Sequence, residues 1–145
     1  MINKSTGAKH RAQDTTANGL AVGSPVYAAE GGTVLVIQSG YSHVNEPVSQ
    51  CAGQGFHANY IEIKSSDGSL VTRYVHVTPL TKLSVGQTVN TGDQIGTIDI
   101  SGCTSGPHTH ISARLNGSII NFTLPCDNSH FDDPSTWYDD SDGLD

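Results

Sequence analysis

Apolar and polar residues alternate along short runs of the chain, and glycine-containing turns separate the runs. A period of two marks strands, whose successive side chains point to opposite faces of a sheet. Ser24–Ala29 and Gly32–Gln38 read as strands around Glu30-Gly31-Gly32. Asn59–Lys64 and Ser69–Val77 read as a hairpin around Ser65-Ser66-Asp67-Gly68, where Asp-Gly is the turn signal. Gly86–Val89 and Gln94–Ile98 flank Asn90-Thr91-Gly92-Asp93, and His108–Leu115 and Ser118–Phe122 flank Asn116-Gly117. No long window carries the 3.6-residue period of a helix, and no segment repeats. Turns recurring roughly every 8–12 residues predict an all-β fold, an antiparallel β-sandwich or partly open barrel with few or no helices.

Two stretches break the alternation. Gly40–Ala58 is polar and irregular, and a loop of that length in a compact domain is usually functional or an insertion. The end of the chain, 127–145, is rich in Asp and carries Trp137 and Tyr138. It explains the net charge of −7. Residues 1–126 hold seven acids and seven bases, whereas the last 19 residues hold seven Asp and no Lys or Arg. The expected organisation is therefore a domain over 1–126, interrupted by an insertion at 40–58, and an acidic extension over 127–145. The neutral body lacks a basic nucleic-acid footprint. No apolar run approaches the ~20 residues that cross a bilayer, so membrane insertion is not expected, and the first 30 residues show no signal-peptide pattern.

The informative number is seven histidines, as many as Lys and Arg together. In a strand, His108, His110, Ser112 and Arg114 share one face, and the mainly apolar Thr109, Ile111, Ala113 and Leu115 share the other. Both histidines of His108-Thr109-His110 thus project from the polar face, as ligands or catalytic groups must. Gly106-Pro107 makes the approach to them rigid. His10 and Asp14 are too far apart on a straight strand, ~13 Å, to share one ion unless the chain bends. His76, by the same parity, shares a face with Leu70, Thr72 and Tyr74, a setting more often structural than catalytic.

Together these segments have a specific likeness. His10-x3-Asp14 is followed by Gly23-Ser24-Pro25-Val26-Tyr27-Ala28-Ala29-x-Gly31-Gly32-Thr33-Val34 and by Asn59-Tyr60-Ile61-x-Ile63. Asp67-Gly68, Arg73-Tyr74-Val75-His76 and Val85-Gly86-Gln87-x-Val89-x-x-Gly92-x-x-Ile95-Gly96 come next, then Ser105-Gly106-Pro107-His108-x-His110. Over roughly residues 7–122 the order resembles the lysostaphin/LytM-like zinc metallopeptidases. The resemblance implies a central groove and one Zn²⁺ held by His10, Asp14 and His110, with the fourth position left for water. It implies that His76 and His108 are catalytic and not ligands, handling the water's proton, the oxyanion and the leaving amine. It implies an endopeptidase that cuts peptidoglycan stem and cross-bridge peptides outside the cytoplasm, as a monomer. No HExxH helix is present, which excludes that other class of zinc peptidase.

Several positions depart from the family pattern. Ala12 stands where Gly is common, Thr109 replaces a large apolar residue, and Thr15–Val22 is longer than usual. His43, His57 and His130 read as solvated, and the terminal Asp cluster lacks the spacing of a calcium loop. Cys51 can bridge to Cys103 and pin the 40–58 segment beside the site, the slightly preferred pairing, or Cys126 can bridge to Cys103 instead. Either suits an oxidising compartment. Two other functions use the same scaffold: a non-catalytic binding, regulatory or phage-tail module, and an endopeptidase for elastin or other Gly-rich proteins. The presence of all five site residues argues against the non-catalytic module.

Overall fold

The computed structural model describes residues 12–15, 21–45, 48–51, 57–104, 106–121 and 138–139. In chain order these form β1 (Ala12–Thr15), β2 (Pro25–Tyr27), β3 (Gly32–Gln38), α1 (Val48–Cys51), β4 (Tyr60–Lys64), β5 (Leu70–Val75), β6 (Val77–Pro79), β7 (Thr88–Val89), β8 (Gln94–Ile98), β9 (Thr109–Leu115), β10 (Ser118–Asn121) and β11 (Tyr138–Asp139). The large antiparallel sheet runs β11-β10-β9-β5-β4-β3-β7, with β1 also on β9, and a small antiparallel sheet runs β2-β8-β6. This is the expected all-β, sandwich-like arrangement of two sheets, not closed into a barrel.

Period-two patterning explains the layers. Successive residues of β5 alternate between buried and half-buried. Tyr74 is opposed by Ile61 on one side and Ile111 on the other, and Thr72 by Ile63 and Ala113. With Val34, these residues form the face that packs under the small sheet, whose Val26, Ile95, Ile98 and Val77 complete the core. A polar contact joins the layers: the Ala29 amide donates to Tyr74 Oη at 2.8 Å, which satisfies a hydroxyl buried at the centre. Within the small sheet, β8 lies so close to β6 that a Cβ at Gly96 would fall 2.5 Å from both Thr78 O and Val77 Cγ1.

The turns follow their chemistry. Asn116 and Gly117 both have positive φ, 50° and 85°, as a two-residue type I′ hairpin between β9 and β10 requires. At the β4–β5 turn, Asp67 Oδ1 accepts from Ser65 Oγ, Ser69 N and Ser69 Oγ at 2.7–2.9 Å. These bonds hold its carboxyl down at about 2.

Three features differ from the alternation pattern. The strand expected over Ser69–Val77 is broken at His76, whose φ of 65° divides β5 from β6. The 40–58 segment contains a one-turn helix and attaches along 100–103. His43 bridges to Gly102, and Gly102 exchanges backbone hydrogen bonds with Ser42 and Val44. From the acidic end, Tyr138 and Asp139 add a short strand to β10.

Of the two cysteine pairings, Cys51–Cys103 forms, with Cα atoms 5.8 Å apart; Cys126 lies outside the described residues. The bond closes a loop of 52 residues. Constraint of the unfolded chain on that scale is worth about 4 kcal/mol. Replacing both cysteines with Ser should therefore lower the midpoint of thermal unfolding by roughly 10 °C. Reductant should reproduce the shift in the native protein and leave the double variant unchanged, as differential scanning calorimetry can check.

Candidate active site

Strand β9 supplies His110 and, immediately before its first residue, His108. The register places His110 opposite Val75 of β5 on one edge and opposite Asp14 of β1 on the other. His76 follows Val75 directly. Two strand pairings therefore bring three of the five singled-out positions, Asp14, His76 and His110, to one end of the large sheet. The fourth, His108, is near His76, their ring centroids 4.9 Å apart and tilted by 57°. His10 lies outside the described residues.

His76 is not on the strand face that parity assigned to it. A left-handed φ is uncommon for a residue with a Cβ and needs outside support. Support comes from three sides. The His76 amide donates to Asn59 O at 3.0 Å, and the Asp99 amide donates to His76 O at 2.9 Å. The ring donates from Nδ1 to Ser101 O at 2.6 Å. A carbonyl only accepts, so Nδ1 carries the proton and Nε2 keeps its lone pair. His76 is buried, 8% exposed. Burial pushes its imidazole down to about 4, against the upward pull of the Ser101 carbonyl, and the nearby His108 and His110 push it further down. His76 is therefore a neutral base at neutral pH.

His108 is held in the same way. Its Nδ1 donates to Gly106 O at 2.8 Å, with Thr104 Oγ1 at 3.2 Å from the same atom. Thr104 Oγ1 in turn donates to Gly106 O at 3.0 Å. The short loop thus folds the Gly106 carbonyl onto the ring that follows. Both imidazoles are fixed through Nδ1, and a ring held in one orientation suits proton transfer.

Among the described residues no group of three or more His, Cys, Asp or Glu side chains comes together to hold a metal ion. Of the expected ligands, His110 is half-buried and Asp14 is described through its backbone pairing. An imidazole and a carboxylate position opposed in register are donors of the kind zinc takes. The loop histidines His43 and His57 are exposed, as the sequence suggested, and each has a contact. His43 donates from Nδ1 to Ile100 O at 2.8 Å, and the His57 ring lies 5.3 Å from that of Tyr41.

The groups that hold the histidines escaped the sequence reading. Ser101 and Gly106 act through backbone carbonyls, which residue type does not reveal. Asn59, Asp99 and Thr104 carried one local signal between them. Asp99-x-Ser101 can form a turn in which a side-chain carboxylate accepts from the amide two residues on, and it does, at 2.8 Å.

The family model described as peptidase family M23 matches residues 8–122. Two curated relatives come from Vibrio cholerae serotype O1. Peptidoglycan DD-endopeptidase ShyC is 32% identical over 108 residues, 74% of this chain and 21% of the relative. Peptidoglycan DD-endopeptidase ShyA is 28% identical over 102 residues, 70% of this chain and 20% of the relative. The chain thus spans about a fifth of the length of these two proteins. A solved zinc-containing peptidase from Vibrio cholerae superposes with a TM-score of 0.60 at 23% identity, covering 86% of this chain and 34% of the other. The catalytic domain of the antimicrobial peptidase lysostaphin from Staphylococcus simulans superposes with a TM-score of 0.54 at 24% identity, covering 90% and 79%. At these identities the two structures establish a shared fold.

The depressed His76 has a consequence for stability. Its folded value, about 4, lies below the unfolded 6.5, so between these values the unfolded chain binds more protons and stability rises with pH. The contribution is complete above pH 6.5 and is lost as pH falls to 4. Chelator-treated protein should lose on the order of 2–3 kcal/mol from this group across that window. Urea unfolding of a His76→Gln variant should lack that part of the slope.

Proposed function

Because this chain belongs to peptidase family M23, we propose that it is a zinc-dependent endopeptidase that hydrolyses peptide cross-links of bacterial cell-wall peptidoglycan, outside the cytoplasm. The observation that carries the reading is the pair of imidazoles at the end of the large sheet. Two histidines from separate parts of the chain have rings 4.9 Å apart, and a carbonyl fixes each through Nδ1. His110, on the adjoining strand, is opposed in register by Asp14. The relatives' names as peptidoglycan DD-endopeptidases support the substrate class, and the disulfide suits an oxidising compartment.

In this reading His10, Asp14 and His110 hold the zinc, two imidazoles and a carboxylate, with a position left open. When bound, zinc supplies a Lewis acid that polarises the scissile carbonyl and makes water acidic enough to attack near neutrality. The chain's own contribution is proton handling. His76 is neutral and has its lone pair at Nε2, so it accepts the proton of the attacking water. His76, then protonated, and the adjacent His108 together stabilise the developing oxyanion, and the proton taken from water is returned to the leaving amine. Neither ring needs to reorient, because its Nδ1 is already bound.

Purified protein incubated with cell walls of different cross-link type should release peptide fragments, and their masses identify the bond cut. Chelation should stop the release and added zinc restore it. His110→Ala should lose both zinc and activity, and full activity in that variant would sink the ligand assignment. His76→Ala and His108→Ala should retain zinc while turnover falls by roughly 10²–10⁴-fold, the usual contribution of a positioned acid or base. Loss of the metal from either would overturn the division of roles. Intact zinc with no fragment from any wall would favour the non-catalytic module.

A further inference from the structure

Asp99 takes no part in the proton handling, yet its carboxylate accepts four hydrogen bonds beside His76. Its Oδ1 accepts from Ser101 N at 2.8 Å and from Ser101 Oγ at 2.5 Å. Its Oδ2 accepts from Asn59 Nδ2 and from Thr78 Oγ1, each at 2.9 Å. Four donors fill the acceptor sites of one carboxylate. Two of the groups so held are the ones that bind His76. Ser101 O takes the ring proton, and Asn59 O takes the amide proton. Asp99 supplies the third contact itself, from its own amide to His76 O. A further bond closes the cluster, as the Asn59 amide donates to Ser101 Oγ at 2.9 Å.

We propose that Asp99 is the positioning residue for His76, holding Ser101 and Asn59 so that His76 stays in its left-handed conformation with the proton on Nδ1 and the lone pair on Nε2. The inference rests on the reading of His76 as a proton acceptor. The chemistry asks for a carboxylate and not an amide. All four partners donate, and an Asn at 99 would turn an NH₂ group toward two of them. Residues 59, 76 and 99 lie on three separate stretches of chain, so no local preference places them. The carboxylate joins stretches 40 residues apart through Asn59 and 21 apart through Thr78.

The test uses the zinc-loaded protein and the Asp99→Asn variant. Long-range proton–nitrogen correlation spectra report which nitrogen of His76 carries the proton, and steady-state kinetics on soluble cross-linked muropeptides separate kcat from KM. The native protein should show a single Nδ1–H form of His76. The variant should keep its zinc, show a mixture of the two forms, and lose kcat by about 10²-fold with little change in KM, the scale of a misplaced catalytic group. A variant that melts earlier but keeps the single Nδ1–H form overturns the proposal whatever its activity, because Asp99 is then only a structural brace. Should the variant not fold, the native spectrum still decides, since an Nε2–H form of His76 contradicts the assigned hydrogen bond. Full activity in His76→Ala would refute the role of His76 separately and leave the spectroscopic result to judge Asp99.

Discussion

Strand β9 is hydrogen-bonded along both edges, and its register on those edges is the constraint from which the site follows. One edge is occupied along its length by β5. The other is shared, with β1 opposite Thr109–Ser112 and β10 opposite Ala113–Leu115. A slip of one residue on either edge would turn the apolar residues of that strand out of the core, so burial itself enforces the pairing. With Ile111 and Ala113 committed to the core, His110 is committed to the other face, and the residues beside it are decided as well. They are Asp14 on one side and Val75 on the other, with His76 next in line. The catalytic candidates are thus collected by the same packing that stabilises the sheet.

The exception is His76, where the chain leaves the strand. If β5 continued, position 76 would join Tyr74 and Thr72 in the core. A positive φ at this one residue turns its ring to the Ser101 carbonyl and brings it near His108. Such a conformation is costly for a residue with a Cβ, and three hydrogen bonds from Asn59, Asp99 and Ser101 offset that cost. The segment that contains Asp99 and Ser101 is anchored in turn. Its next residues pair with the 40–58 segment at Gly102, and Cys103 is joined to Cys51. The irregular loop is therefore part of the framework around a catalytic candidate.

Much of the fold was legible in the chain. Gly32–Gln38 and Gln94–Ile98 have the bounds the alternation predicts, and β4, β9 and β10 differ by one residue at an end. Asn116-Gly117 turns as that dipeptide should. These features depend on neighbours a few residues away, and side-chain parity and turn chemistry act on that scale. The short pairings were not legible. β1 has too few residues to show a period, and Tyr138–Asp139 forms a strand only because β10 offers an edge. Nothing in its immediate neighbours sets Asp99 apart, because its partners Asn59 and Thr78 are 40 and 21 residues away.

By itself the sequence determined the strand periods, the turns, the polar face that carries His108 and His110, and the ordered set of residues by which the family is known. Only the tertiary structure decided which nitrogen of His76 and His108 is bound, that Cys51 rather than Cys126 meets Cys103, and that position 14 lies against position 110. The physical reason is one of range. Local preferences extend over a turn or two, whereas a hydrogen bond such as that from His76 to Ser101, or a disulfide across 52 residues, is available only after the two sheets have packed and fixed the loops between them.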